Sequence, residues 1–479
     1  MTDAAAVVGE FIASDIDRAL LGIVYGRRRI GKSTMLVGHV DRHHGFYFEA
    51  TRAESRVQLD RLGRELGEHL GVGVLALADW EAAFKALARL GDGSDVPVPV
   101  VLDEFGHIKE ADSGVDSVLA SVLGPGARRE GSKNRARLIL CGSAISMMRA
   151  LTAAEAPLRG RAGMELIMQP DDYRIAATRL PGTAALDTAV RTFCVIGGVV
   201  GYATDMGNFD LPGSSADFDR WVVDRTLSVG ATLHREAATL LAEDPTVAGA
   251  GSLLHHSVLA VIANGSVTSG TIARGVGKQV SNIAPVLNRL IDAGFVVRHE
   301  DPLRAQRALY ALTDPFLQFH YAVLEPFRSM LRDRVPSEVW DVRLRHVFDS
   351  RVRGPVFEEM ARTWVRRFAS RSTITSFGHV GPSHASMGGV DHELDVVVAE
   401  PGEIPGQRAV IAIGEAKAGE QLGTVHLRRL ESARRALGPR ATDAKLLLFG
   451  SHVDEALIDV AGSRPDVEIV NLERLYHGS

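Results

Sequence analysis

Between an apolar run, Leu20 to Gly26, and a helix-patterned run beginning at Lys32, two glycines frame a short turn. That stretch, VYGRRRIGKSTML from Val24 to Leu36, constrains the fold more than any other. A glycine-bearing turn from strand into helix aims backbone N–H groups at one point, where the helix N-terminus adds partial positive charge. The pattern G-x-x-x-x-G-K-S then has a chemical logic. Side chains on Gly26 and Gly31 would obstruct an anion, and the backbone of Arg27, Arg28, Arg29 and Ile30 closes round it. Lys32 reaches the β- and γ-phosphates, and Ser33 offers a hydroxyl to Mg²⁺. Thr34 is expected to pack or cap.

Two later segments point at the same spot. VPVPVVLDEFGHI sets an apolar run before Asp103 and Glu104, the pattern of a buried parallel strand ending in two acids. ARLILCGS is a third such run, ending at Gly142 and Ser143. The carboxyl ends of parallel strands line the ligand crevice, so Lys32, Asp103, Glu104 and Ser143 are expected to converge. Asp103 suits the Mg²⁺ shell. Glu104 either polarises the attacking water or holds the bound state.

The bulk numbers narrow the class. A chain of 479 residues holds roughly three domains. With 46% hydrophobic and 24% charged residues it reads as globular, and no apolar run approaches the roughly 20 residues that span a bilayer. The opening residues carry acids and no basic n-region, so a cytoplasmic, non-membrane protein is expected. Cys141 and Cys194 lie in apolar runs and read as buried thiols. A net charge of −5 means that any DNA contact must come from a local basic face.

VYGRRRIGKSTML, VVLDEFGHI, LILCGSAISMM and APLRGR together resemble the archaeal-type prokaryotic ATPases, a branch of the AAA+ and STAND P-loop NTPases. The resemblance implies ATP and Mg²⁺ as cofactors, a γ-phosphate-sensing role for Ser143, and sensor or finger roles for Arg159 and Arg161. One departure concerns the base. GEFIASDIDRALLG is short and lacks the F-x-G-R segment usual before the first strand, so adenine preference comes from the resemblance alone.

Residues 171–250 are helical in pattern and read as a lid, with Gly197 and Gly198 marking a bend or a close helix approach. Residues 251–315 give three helical stretches and a hairpin, the outline of a winged helix-turn-helix. Asn282 is expected to cap the third helix with Pro285 in its first turn. Arg274, Lys278, Arg289, Arg298, Arg304 and Arg307 outnumber Asp292, Glu300 and Asp301, so the module is a candidate DNA reader; internal packing is the alternative. The aromatic run from Tyr310 to Phe327 reads as interdomain packing.

In residues 316–479, VDHELDVVVAEPG and AVIAIGEAKAGEQ read as two strands joined by a turn. Alternation puts Glu393 with Asp395, and Glu415 with Lys417. An aspartate followed about twenty residues later by E-x-K resembles the PD-(D/E)xK nuclease fold, although the leading proline is absent. Asp395 and Glu415 would hold a second divalent cation, and Lys417 would orient the attacking water. Glu358 or Glu359 would be the accessory acid, and Arg366, Arg367 and Arg371 could meet a phosphate backbone.

The expectation is an α/β multidomain chain. It comprises a P-loop core (1–170), helical lid (171–250), winged helix (251–315) and nuclease-like domain (316–479). It would bind and hydrolyse ATP, partner DNA, and associate with itself or another protein. The alternatives are a nucleotide-switched scaffold with a silent nuclease-like domain and a plain ATPase motor.

Overall fold

The computed structural model describes residues 4–124, 133–179, 185–207, 210–228, 230–249, 251–305, 307–387, 390–402 and 404–479. The chain divides into two compact units. The first is Met1–Pro170 with Leu240–Gly249, and the second is Asp171–Thr239 with Ala250–Ser479.

The first unit is built on five strands: β1 (Leu20–Gly26), β2 (Phe46–Glu49), β3 (Val98–Asp103), β4 (Ala136–Gly142) and β5 (Ala162–Met168). They form one parallel sheet in the order β2-β3-β4-β1-β5. Helices cover both faces, so alternate residues of each strand enter different cores. Leu21, Ile23, Tyr25, Val100, Leu102, Leu138 and Leu140 pack against helices Ser55–His69, Trp80–Ala88 and Val115–Val122. Val24, Val101, Ile139 and Cys141 face Val8 and Ile12 of helix Ala4–Ala13 and Leu36 and Val40 of helix Lys32–Arg42. The lead-in to β1 is tied to the sheet by charge. Arg137, fully buried, donates to the carbonyls of Ser14, Ile16 and Arg18, and its neighbour Arg135 pairs with Asp15 and Asp17 at 2.6 and 2.9 Å.

The second unit begins with helices Tyr173–Arg179, Leu186–Ile196, Val200–Gly207 and Ser215–Val222. The expected close approach occurs at Gly198: a Cβ there would lie 1.8 Å from the Asp171 carbonyl oxygen. Three helices follow, Ser252–Ala263, Ser269–Gly275 and Val280–Asp292, then an antiparallel hairpin of β6 (Val296–Glu300) and β7 (Ala308–Leu312). The third helix starts earlier than expected. Gln279 precedes it without a side-chain cap bond, and Asn282 and Pro285 both lie inside it. Pro285 therefore costs the helix the bond that its N–H would have made to the Ser281 carbonyl. The turn before the helix needs Gly277 in the left-handed region, φ 65°.

The aromatic junction is buried, with Phe316, Phe319, Tyr321 and His320 all enclosed. Burial, reinforced by Arg328, His256 and His234, pushes the His320 imidazole down to about 3. The unfolded chain then takes up a proton that the folded chain refuses between pH 6.5 and about 3. Stability is full above the unfolded value and falls with acid through that window, with a slope approaching about 1.4 kcal/mol per pH unit. His320→Phe should flatten this dependence in denaturant titrations at pH 7 and pH 5.

The last part is a mixed sheet, β12-β11-β10-β9-β8, of β8 (His379–Met387), β9 (Val390–Ala399), β10 (Val410–Leu422), β11 (Lys445–Val453) and β12 (Val467–Val470). The β8–β9 and β9–β10 pairs are antiparallel, and the β10–β11 and β11–β12 pairs parallel. Helix Thr424–Leu437 crosses from β10 to β11 and covers Ile413, Leu446 and Leu448. Helix Gly354–Arg367 covers the other face, where Trp364 meets Phe449 edge-on at 5.8 Å.

Candidate functional site

The turn after β1 has the backbone its glycines require. Gly31 sits at φ 92°, with nothing near where a side chain would go, so conformation alone demands glycine. At Gly26 the demand is space, because a Cβ would lie 2.4 Å from the Met168 carbonyl oxygen. Arg29 also lies in the left-handed region, φ 67°, an arrangement that costs about 1–2 kcal/mol. Lys32 is 5% exposed, and its ammonium donates to the carbonyls of Gly26 and Arg27, both at 2.8 Å. A lysine has three N–H donors, so one is left for a phosphate oxygen.

The structure brings Ser33 to Asp103 and Ser143 to Glu104. Ser33 Oγ donates to Asp103 Oδ2 at 2.6 Å, which puts a hydroxyl and a carboxylate oxygen side by side, both of the hard-oxygen kind that could hold Mg²⁺. Burial acts to raise Asp103, but donors from Cys141, Ser33, Tyr47 and the Glu104 amide hold it below the usual carboxylate range. Glu104 lies at φ 49°, between β3 and helix Phe105–Ala111, and Ser143 Oγ donates to its Oε2 at 3.1 Å. Thr34 departs from expectation: its side chain is exposed in the first turn, and Gly31 holds the cap position.

Sequence reasoning missed three contributors. Tyr47, on β2, donates to Asp103 Oδ2 at 2.6 Å; burial and then Asp103 push its phenol well up, so it stays a donor. Cys141 presents its thiol to Asp103 from β4. Two-residue alternation back from Ser143 would have found it. The third is the segment Leu240–Gly249, which belongs to the first unit. Glu243 pairs with Arg28 of the glycine turn, and Asp244 accepts from Ser146 Oγ at 2.6 Å. Nothing in the local pattern of LLAEDP signals either contact.

Arg159 and Arg161 are not brought to this cluster. Both are exposed and bond to nearby carbonyls, of Ala154 and Pro157 respectively. They precede β5, whose Ala162 aligns with Leu21, roughly 17 Å along the strand from the Gly26 end of the sheet.

A second cluster lies in the C-terminal sheet. The β9–β10 register, continued by one residue from Val396↔Gly414, sets Asp395 beside Glu415. Asp395 is 7% exposed, and its Oδ2 accepts from the Ala416 amide at 2.8 Å. The Lys417 ammonium stands 3.6 Å from Asp395 and 3.4 Å from Glu415. Burial acts to lower Lys417, but Asp395, Glu415 and Glu358 hold it above the usual lysine range.

Of the two adjacent acids on helix Gly354–Arg367, Glu358 is the one whose charge acts on this cluster. Burial and then the Asp395 carboxylate push Glu358 up to about 8, against Arg362 and Lys417 and with a contribution from Glu393. Glu359 points elsewhere. Burial acts to raise it, but Arg362, Arg366 and His299 hold it down to about 2. Two of the three arginines expected on phosphate are already paired: Arg366 with Glu359, and Arg367 with Asp172 at 2.7 Å. Arg371 lies over the Phe377 ring, 4.7 Å from its centroid. Arg429, unnoticed in the sequence, is exposed and stands 3.6 Å from Glu415. The donor set of carboxylate oxygens fits a hard divalent cation in kind. Among the described residues, no group of three His, Cys, Asp or Glu side chains has metal-holding geometry, and no helix is long and apolar enough to cross a membrane.

No family model matches the chain. An uncharacterized protein of Methanocaldococcus jannaschii is 23% identical over 350 residues, 72% of each chain. Among solved structures, a Walker-type ATPase of Pyrococcus abyssi matches 67% of this chain and 94% of its own, at 16% identity and a TM-score of 0.46. The ORC2 protein of Aeropyrum pernix, in ADPNP–ADP complexes, matches 68% and 91% at 15% identity and a TM-score of 0.42. Cdc6p from Pyrobaculum aerophilum matches 69% and 92% at 12% identity and a TM-score of 0.31.

Proposed function

We propose that the chain is an ATP-binding and ATP-hydrolysing switch coupled to DNA, with a winged helix in residues 251–315 and a metal-dependent PD-(D/E)xK-like nuclease site in the C-terminal sheet. The observation that carries the first half is the meeting of Lys32, Ser33, Asp103, Glu104 and Ser143 at the carboxyl ends of β1, β3 and β4. Mg²⁺ bound beside Ser33 and Asp103 would neutralise charge on the β- and γ-phosphates. Lys32 keeps a donor for the phosphates, while Glu104, oriented by Ser143, accepts a proton from the attacking water.

In the C-terminal site Asp395 and Glu415 would hold a divalent cation, which polarises the phosphodiester when bound. Lys417 orients the nucleophilic water, and Arg429 offers a phosphate contact.

The deciding experiment is cleavage of duplex DNA by the intact protein with Mg²⁺ or Mn²⁺, with and without ATP, alongside measurement of ATP turnover. A second reading, a nucleotide-switched scaffold with a silent sheet domain, is favoured by one feature: Lys417 already pairs with both acids that would hold the metal. ATP turnover without cleavage under either metal would select that reading.

A further inference from the structure

We infer that the chain meets double-stranded DNA through the exposed face of helix Val280–Asp292 and the turn before it, while the β6–β7 hairpin is a plug locked into the C-terminal sheet. This rests on the three-helix module being the DNA-facing part of the proposed function, and it names the surface that does the reading.

The hairpin connection is already occupied. Leu303 is 3% exposed and lies in the core of the C-terminal sheet with Leu394, Val397 and Ile413. Asp301 beside it is buried and accepts from Ser383 Oγ on β8 at 2.5 Å and from the Leu303 amide at 3.0 Å. Arg304 donates to the His384 carbonyl at 3.3 Å, and Arg307 stands 3.6 Å from Asp301. Strand β8 runs so close that a Cβ on Gly381 would lie 3.1 Å from the Glu300 carbonyl oxygen. Withdrawing Leu303 would expose its apolar side chain and strand the buried Asp301 carboxylate. Two of the basic residues that made the module a candidate DNA reader, Arg304 and Arg307, thus serve to hold the hairpin down.

The third helix offers the opposite situation. Ile283, Val286, Leu287 and Leu290 are its buried stripe. Ser281, Asn282, Asn288 and Arg289 lie on the solvent side, and seven-residue spacing brings Ser281 over Asn288 and Asn282 over Arg289. Arg274 and Lys278 precede them, also exposed. None of Arg274, Lys278 and Arg289 makes an ion pair among the described residues, whereas Arg353, Arg362, Arg366, Arg367 and Arg464 all do. In a chain of net charge −5, three cations left without acids on one small face are complementary to phosphate. Asn282 and Asn288 add side-chain amides, which can pair with base edges in a major groove.

The test is fluorescence anisotropy of a labelled duplex of about thirty base pairs with the full chain in EDTA, so that binding is read apart from cleavage. Substituting Arg274→Ala, Lys278→Ala and Arg289→Ala together should weaken binding at least about tenfold and lower the salt slope by about three. Arg304→Ala should stay within about twofold, since its side chain faces β8. All four residues are exposed, and unchanged melting temperatures would verify folding. The inference is overturned if the intact chain fails to bind duplex, if the triple variant binds as the intact chain does, or if Arg304→Ala is equally damaging. Should the intact chain cleave nothing under Mg²⁺ or Mn²⁺ while the triple variant loses binding, the nuclease reading fails and this one stands.

Discussion

Lys32→Ala is expected to lower ATP turnover by about 10²–10³ and to weaken nucleotide binding in calorimetry. The expectation follows from where the ammonium sits. Almost fully buried, it closes the turn by bonding to the Gly26 and Arg27 carbonyls and keeps one donor for phosphate. Alanine removes the charge and also the ammonium that ties the Gly26 and Arg27 carbonyls together, so a loss of roughly 1.5–3 kcal/mol in stability should accompany the kinetic effect. Asp103→Asn separates the two roles. An amide keeps the shape and one oxygen for Ser33 and Tyr47 but loses the negative charge wanted by Mg²⁺, so turnover should fall; its NH2 then faces the Glu104 N–H, at a cost of about 1–3 kcal/mol in stability. If both variants turn over ATP at the intact protein's rate, the first unit does not hydrolyse ATP at this site.

The second large effect concerns the C-terminal sheet. Asp395→Ala and Lys417→Ala should each reduce metal-dependent DNA cleavage by at least about 10²-fold while leaving ATP turnover within about twofold. The two changes differ in what they leave behind. Without Asp395 the Ala416 amide loses its acceptor, and the buried Arg362 keeps only the Asp395 main-chain oxygen there. Without Lys417, Asp395 and Glu415 face one another with only the exposed Arg429 beside Glu415, and Glu358 adds a third acid. Lys417→Ala should therefore make the sheet more dependent on added divalent cation for its melting temperature, by about 1–3 kcal/mol. A cation-insensitive melting temperature together with unaltered cleavage would remove these residues from the chemistry.

Much of this was legible before any coordinates, and for a local reason. A phosphate-gripping turn, a strand that ends in two acids and a proline-glycine turn between two apolar runs are each specified by neighbours in the chain. Lys32, Asp103, Glu104 and Ser143 can be brought together on paper because parallel strands share one carboxyl edge. The errors were local too. Asn282 is a poor guide to the start of the third helix, which begins at Val280 after Gln279 with no side-chain cap bond, its first three residues exposed.

What no local pattern contained was the partner across space. Tyr47 reaches Asp103 because β2 lies next to β3 in the sheet, an adjacency 56 residues apart in the chain. Glu243 and Asp244 look like an ordinary helix end until Leu240–Gly249 is found packed with the first unit. The helix Gly354–Arg367 carries two adjacent acids, and only its rotation against β9 and β10 gives Glu358 to Asp395 and leaves Glu359 to Arg362 and Arg366. Residue types and their spacing define which groups can do chemistry, because side-chain periodicity is a property of the strand or helix itself. Which of those groups are held near one another, and which cations are left with no acid to meet, depends on packing between segments far apart in the chain, where burial and charge are settled together.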